Sequence, residues 1–195
     1  MNIENAVKGD AAELAYLINL AGEGIPEYLW SDMAEAGESA MAVGAQRAAR
    51  EEGGFSYRNA RVIREAGELL GMIIDYQLDD PYSLAELDDY PEVVKPLVLL
   101  EAKVPGSWYI NAIATRESAR GRGVASKLMA EAEARAQAQG VAKASLIVAS
   151  ENSSAKALYC KLGYQVIDSL PVALYPGALH GGEWLLMVKS LGGGE

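Results

Sequence analysis

Arg120, Gly121, Arg122, Gly123 and Ala125 lie between an apolar run ending at Thr115 and a long helical run beginning at Val124. These residue types, in this order, build an anion site. The two arginines carry permanent charge and forked N–H donors that suit phosphate oxygens. The small residues let a ligand approach the backbone, and glycine adopts turn conformations closed to other residues. The first turn of a helix has N–H groups with no intrahelical partner, and the helix dipole adds partial positive charge beside them. The turn has no GxxxxGK followed by Ser or Thr, which excludes a P-loop, and no GxGxxG, which argues against a dinucleotide fold.

Other side chains qualify for acid–base work. A short helix is predicted over Lys95 to Lys103, with Pro96 in its first turn. Leu97 and Glu101 are four apart and share a face, so an inward Leu97 draws Glu101 toward the core, where burial raises a carboxyl pKa. Glu101 is therefore a candidate general base, with an exposed or capped carboxylate as the alternative. Glu23 is a second candidate. The single His180 stands in a Gly-rich loop and reads as exposed, and the single Cys160 can form no internal disulfide. No cluster of His, Cys and carboxylates has metal-ligand spacing.

Arg120-x-x-Gly123-x-Ala125, set between a strand and a helix, closely resembles the pyrophosphate-binding motif of the GNAT family of N-acetyltransferases. A second GNAT-like motif follows: Asn152 after a strand, then Ala155-Lys-Ala-Leu-Tyr159-Cys-Lys-Leu-Gly163-Tyr164. The resemblance covers Ser107 to Tyr164. It implies an α/β fold with a mixed, twisted central sheet flanked by helices and splayed between the motif strands, where acetyl-CoA enters. It further implies that the backbone of Ile113, Ala114 and Thr115 pairs with the pantetheine arm like an added strand. Amides of Arg120, Gly121, Arg122, Gly123, Val124, Ala125 and Ser126 would hold the pyrophosphate. Asn152 would contact the arm, and Ala155 would leave room for it.

Tyr159 matches the position where the family often places the acid that protonates the departing thiolate. A phenol with its ordinary pKa near ~10 stays protonated at neutral pH. Ala155, Leu158, Tyr159 and Leu162 also form an apolar helix face, so the alternative for Tyr159 is core packing. Where some family members carry a carboxylate on the motif strand, this chain has Tyr109 and Asn111. Asn111 cannot itself take a proton, but it can hold a water that does.

The elements that must position these groups follow from the pattern of apolar residues. Ile3 to Val7 reads as an edge strand. Asp10 with Glu13 reads as a capping box for a helix through Ala21 that Gly22 stops. A second helix is expected over Glu27 to Ala36, and a third from Ser39 to Gly53-Gly54. The aromatic stretch Gly22 to Trp30 borders the acceptor in the implied fold, while its plain alternative is core. Strands are expected over Phe55 to Arg64 and Leu69 to Leu78, where Leu70, Met72, Ile74, Tyr76 and Leu78 alternate. Asp79 to Glu92 holds six acidic residues and no basic one, and reads as a solvated loop or as an insertion facing a cationic substrate. Trp108 to Thr115 is the central strand, Val124 to Ala138 the motif helix with Val124, Leu128 and Ala132 buried, and Ala144 to Ala149 a buried strand. Ser153 or Ser154 is expected to cap a helix over Ala155 to Leu162. Tyr164 to Leu170 and Glu183 to Val188 close the sheet, and Gly192 to Glu195 reads as a frayed tail.

The length of 195 residues suits a single N-acetyltransferase domain over residues 1–195, and half of the residues are apolar. No apolar run reaches membrane-spanning length, and the start of the chain lacks a secretory leader. With one cysteine, these features suit a cytoplasmic protein. The net charge of −10 argues against nucleic-acid binding and suits a cationic acceptor, or simply solubility. The expected activity is acetyl transfer from acetyl-CoA to a primary amine, by direct attack in a ternary complex and without a metal. The alternatives are a non-catalytic CoA or acyl-CoA sensor of the same fold, or a structural partner protein binding another phosphorylated ligand. A homodimer is compatible with either fold-level reading.

Overall fold

The computed structural model describes residues 2–179 and 181–192, so the expectations for His180 and for most of the tail lie outside the described residues. Strands form at β1 (Asn2–Asn5), β2 (Ala60–Glu65), β3 (Glu68–Gln77), β4 (Trp108–Thr115), β5 (Lys143–Ala149), β6 (Gln165–Pro171) and β7 (Glu183–Ser190). Helices form at α1 (Ala11–Ala21), α2 (Ile25–Met33), α3 (Ala40–Ala48), α4 (Lys95–Glu101), α5 (Val124–Ala138) and α6 (Ser153–Lys161). The strands make one mixed sheet in the order β1-β2-β3-β4-β5-β7-β6. The chain divides into two compact units, residues 1–75 with 111–130, and residues 76–110 with 131–195.

In the first unit, β1 pairs antiparallel with β2 and β2 with β3, setting Ile3 against Ile63 and Val62 against Met72. The β2–β3 turn uses Ala66 and Gly67 at φ of 51° and 85°. From Leu69 to Asp75 the strand β3 is buried on both faces, which is more burial than its one-face alternation predicts. Gly71 has a steric reason: a Cβ there would come within 2.8 Å of the Ala114 carbonyl oxygen and of Val124. The small residue lets β4 and the start of α5 seat closely on β3. Leu14, Leu17 and Ile18 of α1 are buried, and Trp30 is 2 % exposed beneath Gly44, where a Cβ would sit 2.3 Å from the indole. Trp30 is thus core. Trp30→Ala is expected to cost about 3–5 kcal/mol of stability, the range for emptying a large aromatic site. Denaturant unfolding reads this directly, and a loss below ~1 kcal/mol would contradict the packing role.

Several local expectations are corrected by longer-range partners. Asp10 does not form a capping box with Glu13. Its carboxylate accepts the Val7 N–H at 2.8 Å and pairs with Arg64 at 2.6 Å, while Glu13 pairs with Arg116. Strand β1 ends at Asn5, and residues Lys8–Asp10 form a 3₁₀ turn. Helix α2 starts earlier and stops sooner than expected, because Gly24 at φ 93° turns the chain and Asn19 accepts the Glu27 N–H at 3.0 Å. Ser39 caps α3 as expected, accepting the Ala42 N–H, but the helix ends at Ala48. Beyond it Ser56, 1 % exposed, donates its hydroxyl to the Arg50 carbonyl at 2.6 Å, and a 3₁₀ turn at Tyr57–Asn59 delays β2 to Ala60.

In the second unit, β4 pairs parallel with β5 from Trp108 against Ala144 to Ile110 against Leu146. Strand β5 pairs antiparallel with β7 along its whole length, and β6 closes on β7 with a bulge between Val166 and Asp168. A buried hydroxyl pair, Ser107 with Ser145 at 2.7 Å, ties the start of β4 to β5. On α5, Arg135 pairs with Glu131 at 2.7 Å, as the four-residue spacing predicts, and lies 5.5 Å from the Trp108 ring centroid. Asn152, rather than Ser153 or Ser154, caps α6 by accepting the Ala155 N–H at 3.1 Å.

Candidate active site

The turn between β4 and α5 is braced from beneath by Arg116. Its backbone N–H donates to the Leu70 carbonyl at 2.8 Å, its Nε to the Leu69 carbonyl at 2.7 Å, and its guanidinium stacks 5.1 Å from the Tyr16 ring centroid. After a 3₁₀ turn at Glu117–Ala119 the chain passes through Gly121 and Gly123, at φ of 74° and 78°. These left-handed values favour glycine, and at both positions a Cβ would project into open space. The amides of Gly121, Gly123, Val124, Ala125 and Ser126 donate to no group among the described residues, because intrahelical bonding starts only with the Lys127 N–H on the Gly123 carbonyl.

The two arginines differ. Arg122 is held by Glu65 at 2.6 Å, and its charge keeps the Glu65 carboxyl below the ordinary carboxylate range. Arg120 is exposed and makes no ion pair among the described residues. Its charge is the one left for a ligand. At the mouth of the turn, the buried Thr115 Oγ1 has no hydrogen-bond partner among the described residues. Ile113 is half-buried and Ala114 buried beside it. Five free amides, one uncommitted guanidinium and clear space above two glycines fit a diphosphate group.

In the second unit, Tyr159 is 7 % exposed, with its ring edge-on to Tyr164 at 6.2 Å between centroids. The ring therefore packs, as the apolar face of α6 predicts. The Asn152 side-chain oxygen is spent on the cap of α6, and Ala155 is half-buried one turn on. Cys160 is exposed.

Glu101, at the C-terminal end of α4, sits among phenols. Tyr82 donates its hydroxyl to Glu101 Oε2 at 2.6 Å, and the Tyr109 phenol also acts on the same carboxyl. Burial pushes the Glu101 carboxyl above its ordinary value, with the two phenols pulling the other way. Tyr76, Tyr82 and Tyr109 are all pushed up, first by burial and then by the charge or hydrogen bond of Glu101. Tyr76 meets Tyr109 edge-on at 6.0 Å. Helix α4 buries Val98 and Leu100, while Leu97 and Glu101 on the other face are only half-buried, so an inward Leu97 is not what places Glu101. Nothing in the acidic run foretold that Tyr82 would reach it.

The remaining candidates lie on other elements. Glu23 sits in the α1–α2 turn at φ 52°, an uncommon conformation for a residue other than glycine. Asn111 is half-buried on β4. Among the described residues no group of three or more His, Cys, Asp or Glu is placed to hold a metal ion, and no helix is long and apolar enough to cross a membrane.

A mixed seven-stranded sheet with helices defines an α/β protein. The sequence matches the profile of the acetyltransferase (GNAT) family over residues 25–164, and the chain belongs to that family. Among curated proteins there is no significant match. A solved acetyltransferase is similar at 21 % identity and TM-score 0.67, over 98 % of this chain and 100 % of that one. A Drosophila melanogaster polyamine N-acetyltransferase, described as catalysing the formation of N-acetylagmatine, is similar at 17 % identity and TM-score 0.66, over 97 % and 99 % of the two chains. A ribosomal-protein-alanine N-acetyltransferase from Brucella melitensis is similar at 17 % identity and TM-score 0.62, over 97 % and 99 %. At these identities the likeness is one of fold.

Proposed function

We propose that this chain is an N-acetyltransferase, with residues 1–195 acting as one domain that moves an acetyl group from acetyl-CoA to a primary amine in a ternary complex. The observation that carries this reading is the cradle of free amides beside Arg120. Acetyl-CoA supplies the acetyl group as a thioester, whose carbonyl carbon the amine attacks directly. The chain's own residues then bind, orient and move protons. Arg120 and the amides from Gly121 to Ser126 hold the pyrophosphate, and the backbone of Ile113, Ala114 and Thr115 aligns the pantetheine arm. Asn152 and Ala155 line the arm. Glu101 takes the proton of the attacking ammonium, with a water on Asn111 as the second route. Tyr159 donates its proton to the departing thiolate.

The acidic chain, with its net charge of −10, suits a cationic acceptor. Thiol release on mixing the protein with acetyl-CoA and a panel of polyamines, aminoglycosides, amino acids and peptide N-termini tests the activity. Release with no acceptor of the panel, although CoA binds, would identify a sensor instead. The cradle has its own test. Arg120→Ala removes the uncommitted charge, and Gly123→Val puts a branched side chain at φ 78° into the ligand's space. Either variant is expected to weaken CoA binding by ~10-fold or more while the protein stays folded, since a charge-assisted phosphate contact is worth about 1.5–3 kcal/mol. Calorimetric affinities unchanged in both variants would remove the assignment.

A further inference from the structure

Glu101 is a half-buried carboxyl without a counter-charge among the described residues. Among the described residues its neighbours are phenols: Tyr82 donates to it at 2.6 Å, Tyr109 acts on the same carboxyl, and Tyr76 meets the Tyr109 ring at 6.0 Å. No Lys or Arg pairs with it among the described residues. The two lysines that flank α4 are committed elsewhere, Lys95 to Glu92 at 2.6 Å and Lys103 to Asp168 at 2.5 Å. Removing an anion from water without a cation is costly, and a phenol donor offsets only part of that cost. A carboxylate has about four acceptor sites, so the Tyr82 donor leaves room for further N–H groups. Tyrosine faces also attract ammonium ions. The group that completes this arrangement is a cation from outside the chain.

The segment that supplies Tyr82 strengthens the case. Asp79, Asp80, Glu86, Asp88, Asp89 and Glu92 lie within one stretch with no basic residue. Lys95 compensates Glu92 alone. Such a field gathers cations and repels carboxylates on approach.

We propose that Glu101, with Tyr76, Tyr82 and Tyr109, forms the binding site for the acceptor's ammonium and selects primary amines that carry no carboxylate. This rests on the acetyltransferase reading and narrows it, because it excludes free α-amino acids and favours alkyl diamines and similar cations. An α-carboxylate would be carried to within a few bonds of Glu101, and like charges so juxtaposed lose affinity steeply.

Cadaverine and L-lysine differ only by that carboxylate, which makes them a matched pair of probes. Calorimetric titration into the wild-type protein, with and without CoA, is expected to give cadaverine an affinity ~100-fold higher than lysine. Glu101→Gln should weaken cadaverine at least ~10-fold and leave CoA affinity unchanged. Tyr82→Phe removes one donor to the carboxylate and should weaken cadaverine a few-fold. Undetectable cadaverine binding, a lysine affinity within about threefold of cadaverine, or a folded Glu101→Gln variant that binds cadaverine like wild type would each overturn the proposal. If Glu101→Gln does not fold, the wild-type ratio and the Tyr82→Phe variant decide. Cadaverine bound selectively by a protein that fails to bind CoA would uphold this site and refute the acetyltransferase reading.

Discussion

Tyr159→Phe is expected to lower kcat by ~10²–10⁴, the usual contribution of a positioned general acid, while CoA affinity and stability stay near wild type. The separation of these readouts follows from where the ring and the hydroxyl stand. The ring is buried and meets Tyr164 edge-on at 6.2 Å, and phenylalanine keeps that contact. The change removes the hydroxyl alone. A thiolate leaving from the collapsing tetrahedral centre is then protonated only by solvent, which a buried site admits poorly. Single-turnover acetyl transfer with thiol detection isolates this step from product release. A folded variant with the wild-type rate would show that solvent suffices and that Tyr159 has no acid role. A variant that unfolds would make Tyr159 a core residue, as its apolar helix face also allows.

The parts legible in the sequence are those whose determinants are local. Strand β4 was expected over Trp108 to Thr115 and α5 over Val124 to Ala138, and both occur with those bounds. An apolar strand bounded by turn residues, and a run rich in Ala, Glu, Lys and Leu, each decide their own conformation. The cradle was legible for the same reason: two glycines and a helix start create free amides without help from elsewhere. The cap of α1 was misread because Arg64, some fifty residues away, claims the Asp10 carboxylate. The pairing of Arg122 with Glu65 on β2 was not legible either, since the two lie far apart in the chain. Tyr82 lay in a stretch whose acidity suggested only a solvated loop, and nothing in its neighbours pointed to a carboxyl nineteen residues on. Local pattern writes the frame and the glycine turn before α5. Pairings across the chain write the rest.

Glu101→Gln is the second substitution with a large expected effect, and pH gives its signature. As the general base Glu101 works only when ionised, and burial raises its pKa, with the Tyr82 and Tyr109 phenols opposing the rise. Wild-type kcat/KM should therefore fall as pH drops through that raised value, above the ordinary carboxylate near ~4.3. Glu101→Gln should lack this limb, and its deficit should reach ~10²–10⁴ between the Glu101 pKa and that of the free amine, where the carboxylate is charged and the acceptor is still an ammonium. Above the amine's own pKa the free base attacks unaided and the two proteins should converge. Stability should move the opposite way. A carboxyl whose folded pKa lies above its unfolded value contributes stability below the unfolded pKa and loses it as pH rises through the folded one. Glutamine never ionises, so the variant should gain stability relative to wild type as pH rises from the ordinary carboxylate pKa through the raised folded one. Denaturant midpoints and pH–rate profiles of the two proteins test both signs. An unchanged pH–rate profile would transfer the proton to Glu23 or to a water on Asn111. A variant that loses stability relative to wild type as pH rises would mean that the ionised carboxylate supports the fold.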